Sequence, residues 1–398
     1  MIADKMRDMV EKGSQIRAMF EEGNKMAQIY GKENVYDFSL GNPNLPAPKE
    51  VKEAIIETLE EDPVALHGYN SSNAGFEDVR EAVASHINKQ QGTSFKAENI
   101  IMTSGAAMAM NVILKVVLNK DDEVVVFAPY FGEYRSYVAN YDGVIVESLV
   151  DATTFLPNLE DFKKKITRKT KVVIVNSPNN PSGVIYDEEV IKALAQIMTD
   201  KEKEFGHDIL LLSDEPYREI VYGNKEVPYV TKYYKNTAVS YSYSKSLSLP
   251  GERIGYLVIS NEMKEASEMS RAASIANRIL GSVNAPTLQQ KMIKKCLDVK
   301  TDVAFYEKNR DTLYKGLLKM GYDCVKPEGA FYLFMKSPVA DEKKFCDKAK
   351  EYHLLMVPGS SFSYPGYVRI AYCVSYETIV NALPKFAQLA KDYDLLGR

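Results

Sequence analysis

The chain has no tryptophan, only four histidines and only four cysteines among its 398 residues. Cys296, Cys324, Cys346 and Cys373 show neither C-x-x-C spacing nor a nearby pair of histidines. A zinc site or a disulfide framework is therefore not expected, and the thiols read as small hydrophobes in a reducing compartment. No metal is expected. An excess of charge of one sign is also missing: 50 Lys and Arg against 54 Asp and Glu leave a net −4, which gives no footprint for nucleic acid or an acidic membrane surface. No apolar run is long enough to span a bilayer. The segment from Met1 to Ile29 is charged and helical in pattern, without the apolar core of a signal peptide. Gly-x-Gly-x-x-Gly and Gly-Lys-Ser/Thr are absent, which removes the common nucleotide loops. A cytoplasmic, soluble protein with no nucleic-acid or membrane partner is expected.

What is present is alternation. Short β-branched runs near Ile100–Thr103, Glu123–Ala128, Val144–Leu149, Lys171–Asn176, Ile209–Ser213, Ala238–Tyr241 and Ile254–Ile259 are separated by amphipathic stretches such as Phe76–Asn88, Ala107–Leu118, Phe131–Asn140 and Glu188–Thr199. This pattern predicts an α/β fold with a mainly parallel seven-stranded sheet flanked by helices, with the run holding Val258 a candidate antiparallel strand. After about Ala285 the character changes. Pro286–Lys319 reads as helical, followed by strands at Ala330–Met335, Leu354–Val357 and Tyr367–Tyr372 and by helices around Glu342–Tyr352 and at the end. A smaller α+β domain is expected there, giving a large domain over 45–290 and a small one over 1–44 plus 291–398.

Several strand ends carry chemistry-bearing residues. Ser242-Tyr243-Ser244-Lys245 places a lysine among small hydroxyl residues after a strand, with Arg253 eight positions on; desolvation beside other cations lowers a lysine pKa and frees its amine. Most lysines are solvated surface charges, so the weight comes from its company. Ser104-Gly105-Ala106-Ala107 opens a helix after a strand, a phosphate cradle or simply a tight turn. Asn176-Ser177-Pro178-Asn179-Asn180-Pro181 makes a rigid loop at the carboxyl edge of a parallel strand, where open α/β sheets bind ligands. Asp214-Glu215-Pro216-Tyr217 ends another strand, and a buried Asp214 needs a positive partner or a hydrogen bond unless it merely caps the next element. Phe131 can stack on a flat ring or serve as packing. Arg369 sits in an apolar strand, where it needs an anion, either a ligand carboxylate or a protein acid.

In combination these motifs resemble the class I/II aminotransferases, pyridoxal-phosphate enzymes of fold type I, over almost the whole chain from Gly41-Asn42-Pro43 to Arg369. The resemblance implies that Lys245 is the Schiff-base lysine and proton shuttle, that Asp214 holds the pyridine nitrogen protonated, and that Tyr217 and Asn180 bond the ring oxygen. It implies further that Phe131 stacks on the ring. The backbone at Gly105, Ala106 and Ala107, with Ser242 and Arg253, would hold the phosphate. Arg369, assisted by Asn180 and the Gly41 backbone, would take the substrate α-carboxylate. Tyr69 matches a position that reaches the neighbouring subunit's phosphate, so a homodimer with shared sites is implied.

Two departures bear on specificity. Phe131 stands where tryptophan or tyrosine is common, and Ala107 stands where some aspartate-using relatives carry lysine. Others use a partner-subunit arginine before an Asn-Pro-Pro-like segment; Arg278, ahead of Asn284-Ala285-Pro286, is about there, with spacing one residue different. A solvent-facing helix arginine is the plainer account of Arg278. Aspartate is the expected amino donor, although Tyr36 and Tyr69 would also suit an apolar or aromatic side chain. Two other readings share the fold: a carbon–sulfur β-lyase acting on cystathionine-like substrates, and a cofactor-sensing regulator, which the acidic charge and the missing helix-turn-helix disfavour.

Overall fold

A computed structural model describes residues 1–12, 15–61 and 63–396 of the chain. Among the described residues twelve strands occur in chain order: β1 (Tyr36–Asp37), β2 (Ile100–Thr103), β3 (Glu123–Phe127), β4 (Val144–Ser148), β5 (Thr170–Asn176), β6 (Leu210–Asp214), β7 (Thr237–Ser242), β8 (Gly255–Ile259), β9 (Tyr332–Lys336), β10 (Leu354–Leu355), β11 (Val357–Pro358) and β12 (Tyr367–Ala371). Seven of them form one sheet in the order β2-β8-β7-β6-β5-β3-β4. Every pairing from β7 to β4 is parallel, and β8 runs antiparallel to both its neighbours. The expected sheet, with its one reversed strand around Val258, is the sheet observed.

The near-continuous apolar runs of β3, β5 and β6 follow from burial on both faces. Alternate residues feed two cores: Val125, Val173, Leu211 and Val239 on one side, Val124, Val172, Leu210 and Ala238 on the other. Each of these valines and leucines contributes about 1.5–3 kcal/mol when fully buried. Helices Glu77–Gln91 and Glu188–Phe205 supply buried residues to the first core, and Ala106–Val117 and Ala266–Asn277 to the second.

A third core gathers around the antiparallel sheet β11-β12-β9 and the helices Val303–Lys319 and Tyr376–Asp392. Two expectations are refined here. The stretch Pro286–Lys319, read as helical, holds two helices, Thr287–Lys295 and Val303–Lys319. Cys296 leaves helical geometry, and Asp302 starts the second helix by accepting from the Phe305 N–H at 3.2 Å. The run Leu354–Val357 is divided as well: β10 pairs with β1, whereas β11 pairs with β12. Among the described residues no helix is long and apolar enough to cross a membrane.

Candidate active site

Strands β5, β6 and β7 are neighbours, and their carboxyl ends are in register, with Asn176 opposite Asp214 and Asp214 opposite Ser240. The loops leaving that edge carry Asn180, Tyr217 and Lys245 into one cavity of about 290 Å3. Gly41, Ala106, Ala107, Phe131, Ser242, Arg253 and, from the smaller sheet, Arg369 also line it. One site thus draws on most of the residues singled out from the sequence, although they span Gly41 to Arg369.

Lys245 lies on the one-turn helix Tyr243–Ser246 and donates from Nζ to the Gly41 carbonyl oxygen at 2.6 Å. Burial pushes its pKa down to about 8, helped by the Arg369 and Arg253 charges. Asp214 is buried; its Oδ2 accepts from the Tyr134 hydroxyl at 2.6 Å and its Oδ1 from Ser240 at 3.1 Å. These donors favour the carboxylate, but burial outweighs them and raises the pKa to about 6. At neutral pH this is an ionised group in the cavity wall with hydrogen bonds and no cation, an arrangement that calls for a positive partner.

Arg369 is buried in the middle of β12. Its Nη1 donates to Asn180 Oδ1 at 3.1 Å and its Nη2 to the Ser39 carbonyl oxygen. Nε has no partner, and Arg369 forms no ion pair among the described residues. The protein-acid explanation of this arginine therefore falls away, leaving a desolvated guanidinium beside a cavity. The Tyr332 ring lies 4.6 Å from its central carbon.

At the other end, Gly105 has φ +87 and precedes the helix Ala106–Val117. A Cβ there would sit 2.7 Å from Arg253 Nη2, so only glycine lets the guanidinium close over the helix N-terminus. Arg253 is exposed and donates to the carbonyls of Ser104 and Pro250. The Ser242 hydroxyl accepts from the Ser244 N–H at 3.1 Å and pairs with its hydroxyl at 2.7 Å. Free helix N–H groups, two hydroxyls and a guanidinium make an anion cradle. Phe131 meets Tyr134 edge-on at 5.7 Å.

Tyr69 and Arg278 do not line this cavity. Tyr69 is 94 % exposed, and Arg278 is exposed where the helix Ala266–Asn277 gives way to a wider turn. Sequence reasoning passed over Tyr134, Ser240, Ser244 and Tyr332. Ser244 was visible in the Ser-x-Ser-Lys motif. Tyr332 bonds the Tyr217 hydroxyl across 115 residues at 2.8 Å, a contact no local pattern signals.

The donor set fits pyridoxal phosphate. A lysine that sheds its proton near pH 8, a buried carboxylate lacking a cation, an aromatic wall and an anion cradle match its aldehyde, ring nitrogen, ring face and phosphate. Fold and site together define a pyridoxal-phosphate-dependent enzyme. The family model for aminotransferase class I and II matches residues 33–386. An aspartate/prephenate aminotransferase of Thermus thermophilus is 31 % identical over 354 residues, covering 88 % of this chain and 89 % of that protein. The crystal structure of an aminotransferase from Eubacterium rectale superposes with a TM-score of 0.96 at 46 % identity, covering 99 % of this chain and 100 % of that one. Aspartate aminotransferase of Thermus thermophilus with maleate gives 0.88 at 28 % identity, covering 98 % and 99 %. The chain belongs to the class I and II aminotransferases and is an enzyme that moves an amino group from an amino acid to a 2-oxo acid.

Proposed function

We propose that the amino donor is aspartate, that 2-oxoglutarate is an acceptor, and that the enzyme works as a cytoplasmic homodimer. The observation that carries the substrate reading is Arg369, a buried guanidinium with an open Nε and no acidic partner. It suits the α-carboxylate that every amino-acid and oxo-acid substrate presents. The choice of aspartate is supported by the names of the relatives and by the dicarboxylate maleate in the Thermus thermophilus structure.

Pyridoxal phosphate, when bound, supplies an aldehyde for the amino group and a ring that draws electrons from the substrate Cα. Lys245, whose pKa burial lowers to about 8, would take the proton from the substrate Cα and deliver it to the carbon of the cofactor's former aldehyde. Asp214 holds a proton at the ring nitrogen. Tyr217 and the amide of Asn180 donate to the ring oxygen, and Phe131 covers one ring face. Gly105, Ala106, Ala107, Ser242 and Arg253 hold the phosphate, while Arg369, Asn180 and the Gly41 backbone orient the substrate carboxylate. Tyr69 and Arg278 complete the neighbouring subunit's site, Tyr69 at the phosphate and Arg278 at a second carboxylate; their exposure away from their own chain's cavity supports that assignment. The division into 45–290 and 1–44 plus 291–398 belongs to this reading, and the separate core around β9 and β12 supports it.

The test is absorbance between about 330 and 430 nm with single amino acids. Loss of the yellow band with aspartate and its return with 2-oxoglutarate is the expected result. Release of pyruvate from cystathionine without any oxo acid would overturn it.

A further inference from the structure

We propose, resting on the reading of Asp214 as the partner of the ring nitrogen, that Tyr134 is a positioning residue of the reaction. By donating to Asp214 it keeps that carboxylate a weak base, so that the proton stays on the nitrogen and not on the acid. Tyr134 is buried and does not line the cavity, so it acts only through Asp214.

Among the described residues the Asp214 carboxylate accepts from two hydroxyls only, and they are unequal. The Tyr134 bond to Oδ2, at 2.6 Å, has the length of a charge-assisted hydrogen bond. Ser240 reaches Oδ1 at 3.1 Å, but the same hydroxyl lies 3.3 Å from the Ala106 carbonyl oxygen, and its single proton serves one acceptor at a time. Tyr134 has no other acceptor among the described residues. Burial and the Asp214 charge hold its phenol well above the usual pKa, so it remains a donor. Its ring is fixed in place: the Tyr134 N–H donates to the Phe131 carbonyl oxygen at 3.1 Å, and the Tyr130 ring lies parallel to it at 6.2 Å. The turn that sets Phe131 against the cavity thus also aims Tyr134 at Asp214.

No neighbouring group substitutes for this donor. Glu215, next in the chain, pushes the Asp214 pKa up and is itself held by Arg218 and Ser213. Tyr217 bonds Tyr332. Tyr137, on the same helix as Tyr134, and Lys245 and Arg253, all on the cavity wall, make no bond to the carboxylate. A hydrogen bond to the charged form favours that form. With Tyr134 removed, burial acts against Ser240 alone, and Asp214 becomes a stronger base that competes better for the nitrogen's proton.

The test loads the enzyme with pyridoxal phosphate carrying nitrogen-15 in its ring, whose resonance distinguishes protonated from neutral nitrogen. Asp214→Asn should move the resonance to the neutral position and Tyr134→Phe should move it part of the way. Tyr130→Phe should leave it unchanged, because the Tyr130 hydroxyl pairs with Glu147 at 2.7 Å instead. Cofactor-free protein supplies a second readout, since Asp214 there titrates near a pKa of about 6. The pH at which the melting temperatures of Asp214→Asn and its parent stop diverging should rise by about one to two pH units in a Tyr134→Phe background. A resonance moved by Asp214→Asn but not by Tyr134→Phe would overturn the proposal alone. One that Asp214→Asn leaves in place would sink the reading of Asp214 as well. An unchanged levelling pH in folded Tyr134→Phe would also refute the proposal, and Tyr134→Met, which fills the space without a donor, replaces that variant if it does not fold.

Discussion

Lys245 Nζ donates to the carbonyl oxygen of Gly41 at 2.6 Å, joining the loop after β7 to a segment 204 residues earlier in the chain. Gly41 has no room for a side chain, since a Cβ there would fall on the Tyr332 hydroxyl. The contact therefore orients the amine toward the same corner that holds Tyr332 and Arg369.

The first prediction concerns that amine. A neutral amine is the nucleophile, and burial lowers the pKa of Lys245 to about 8, against roughly 10.4 for a solvated lysine. The rate at which cofactor-free protein captures pyridoxal phosphate should rise with pH to a midpoint near 8, followed by the growth of visible absorbance after mixing. A midpoint above about 10 would contradict a desolvated lysine. After borohydride reduction, mass spectrometry should find the pyridoxyl group on Lys245 in the wild type and no adduct in Lys245→Ala, whose turnover should fall by about 10⁴ or more.

Arg369→Lys tests the carboxylate site. Lysine keeps the charge but loses the planar fork, including the contacts to Asn180 and Ser39. The kcat/KM should fall by about 10²-fold for every amino acid and oxo acid alike. A loss confined to one substrate would place the α-carboxylate elsewhere.

Arg278→Ala separates substrates instead. Aspartate and 2-oxoglutarate should lose about ten- to a hundredfold in kcat/KM, a charge-assisted contact worth roughly 1.5–3 kcal/mol, while alanine and pyruvate change little. Equal losses throughout would mark Arg278 as a structural residue of the turn that follows its helix.

The fold was largely legible because a sheet buried on both faces writes itself as apolar runs, and β3, β5 and β6 are such runs. The helix break at Cys296–Asp302 was not, since Asp298, Lys300 and Asp302 suit a helix surface as well as a loop. Lys245, Asp214 and Arg369 stood out because a charged group beside an apolar strand demands an explanation. Tyr134 and Tyr332 did not: tyrosine is ordinary in a core, and their roles arise from partners at Asp214 and Tyr217, distant in sequence.

Asp214→Asn should change how cofactor-free stability depends on pH. The folded-state pKa is raised from 3.8 to about 6, mainly by burial. Between those values the folded protein binds more protons than the unfolded chain, so stability falls as pH rises through that window. Asparagine does not titrate. The melting temperature of the variant relative to wild type should therefore climb from pH 4 to 6 and then level, a difference on the order of 2–3 kcal/mol. A flat difference would show that the carboxyl titrates normally. The same variant should lose most of its turnover, because a neutral amide does not hold a proton at the ring nitrogen.

Tyr332→Phe removes one hydroxyl and keeps the ring beside Arg369. In the cofactor-free protein the Tyr217 hydroxyl, buried and bonded to Tyr332 at 2.8 Å, loses that partner. An unsatisfied buried donor costs about 1–3 kcal/mol, so the cofactor-free variant should melt lower. With pyridoxal phosphate bound, the proposed hydrogen bond from Tyr217 to the ring oxygen would supply another partner, and the penalty should shrink. The measurement is the melting temperature of both proteins with and without cofactor. An equal drop in both forms would mean that the hydroxyl pair serves packing alone. Because the ring still stacks on the guanidinium, KM for dicarboxylic substrates should move by less than about threefold, which separates the role of Tyr332 at Tyr217 from its role beside Arg369.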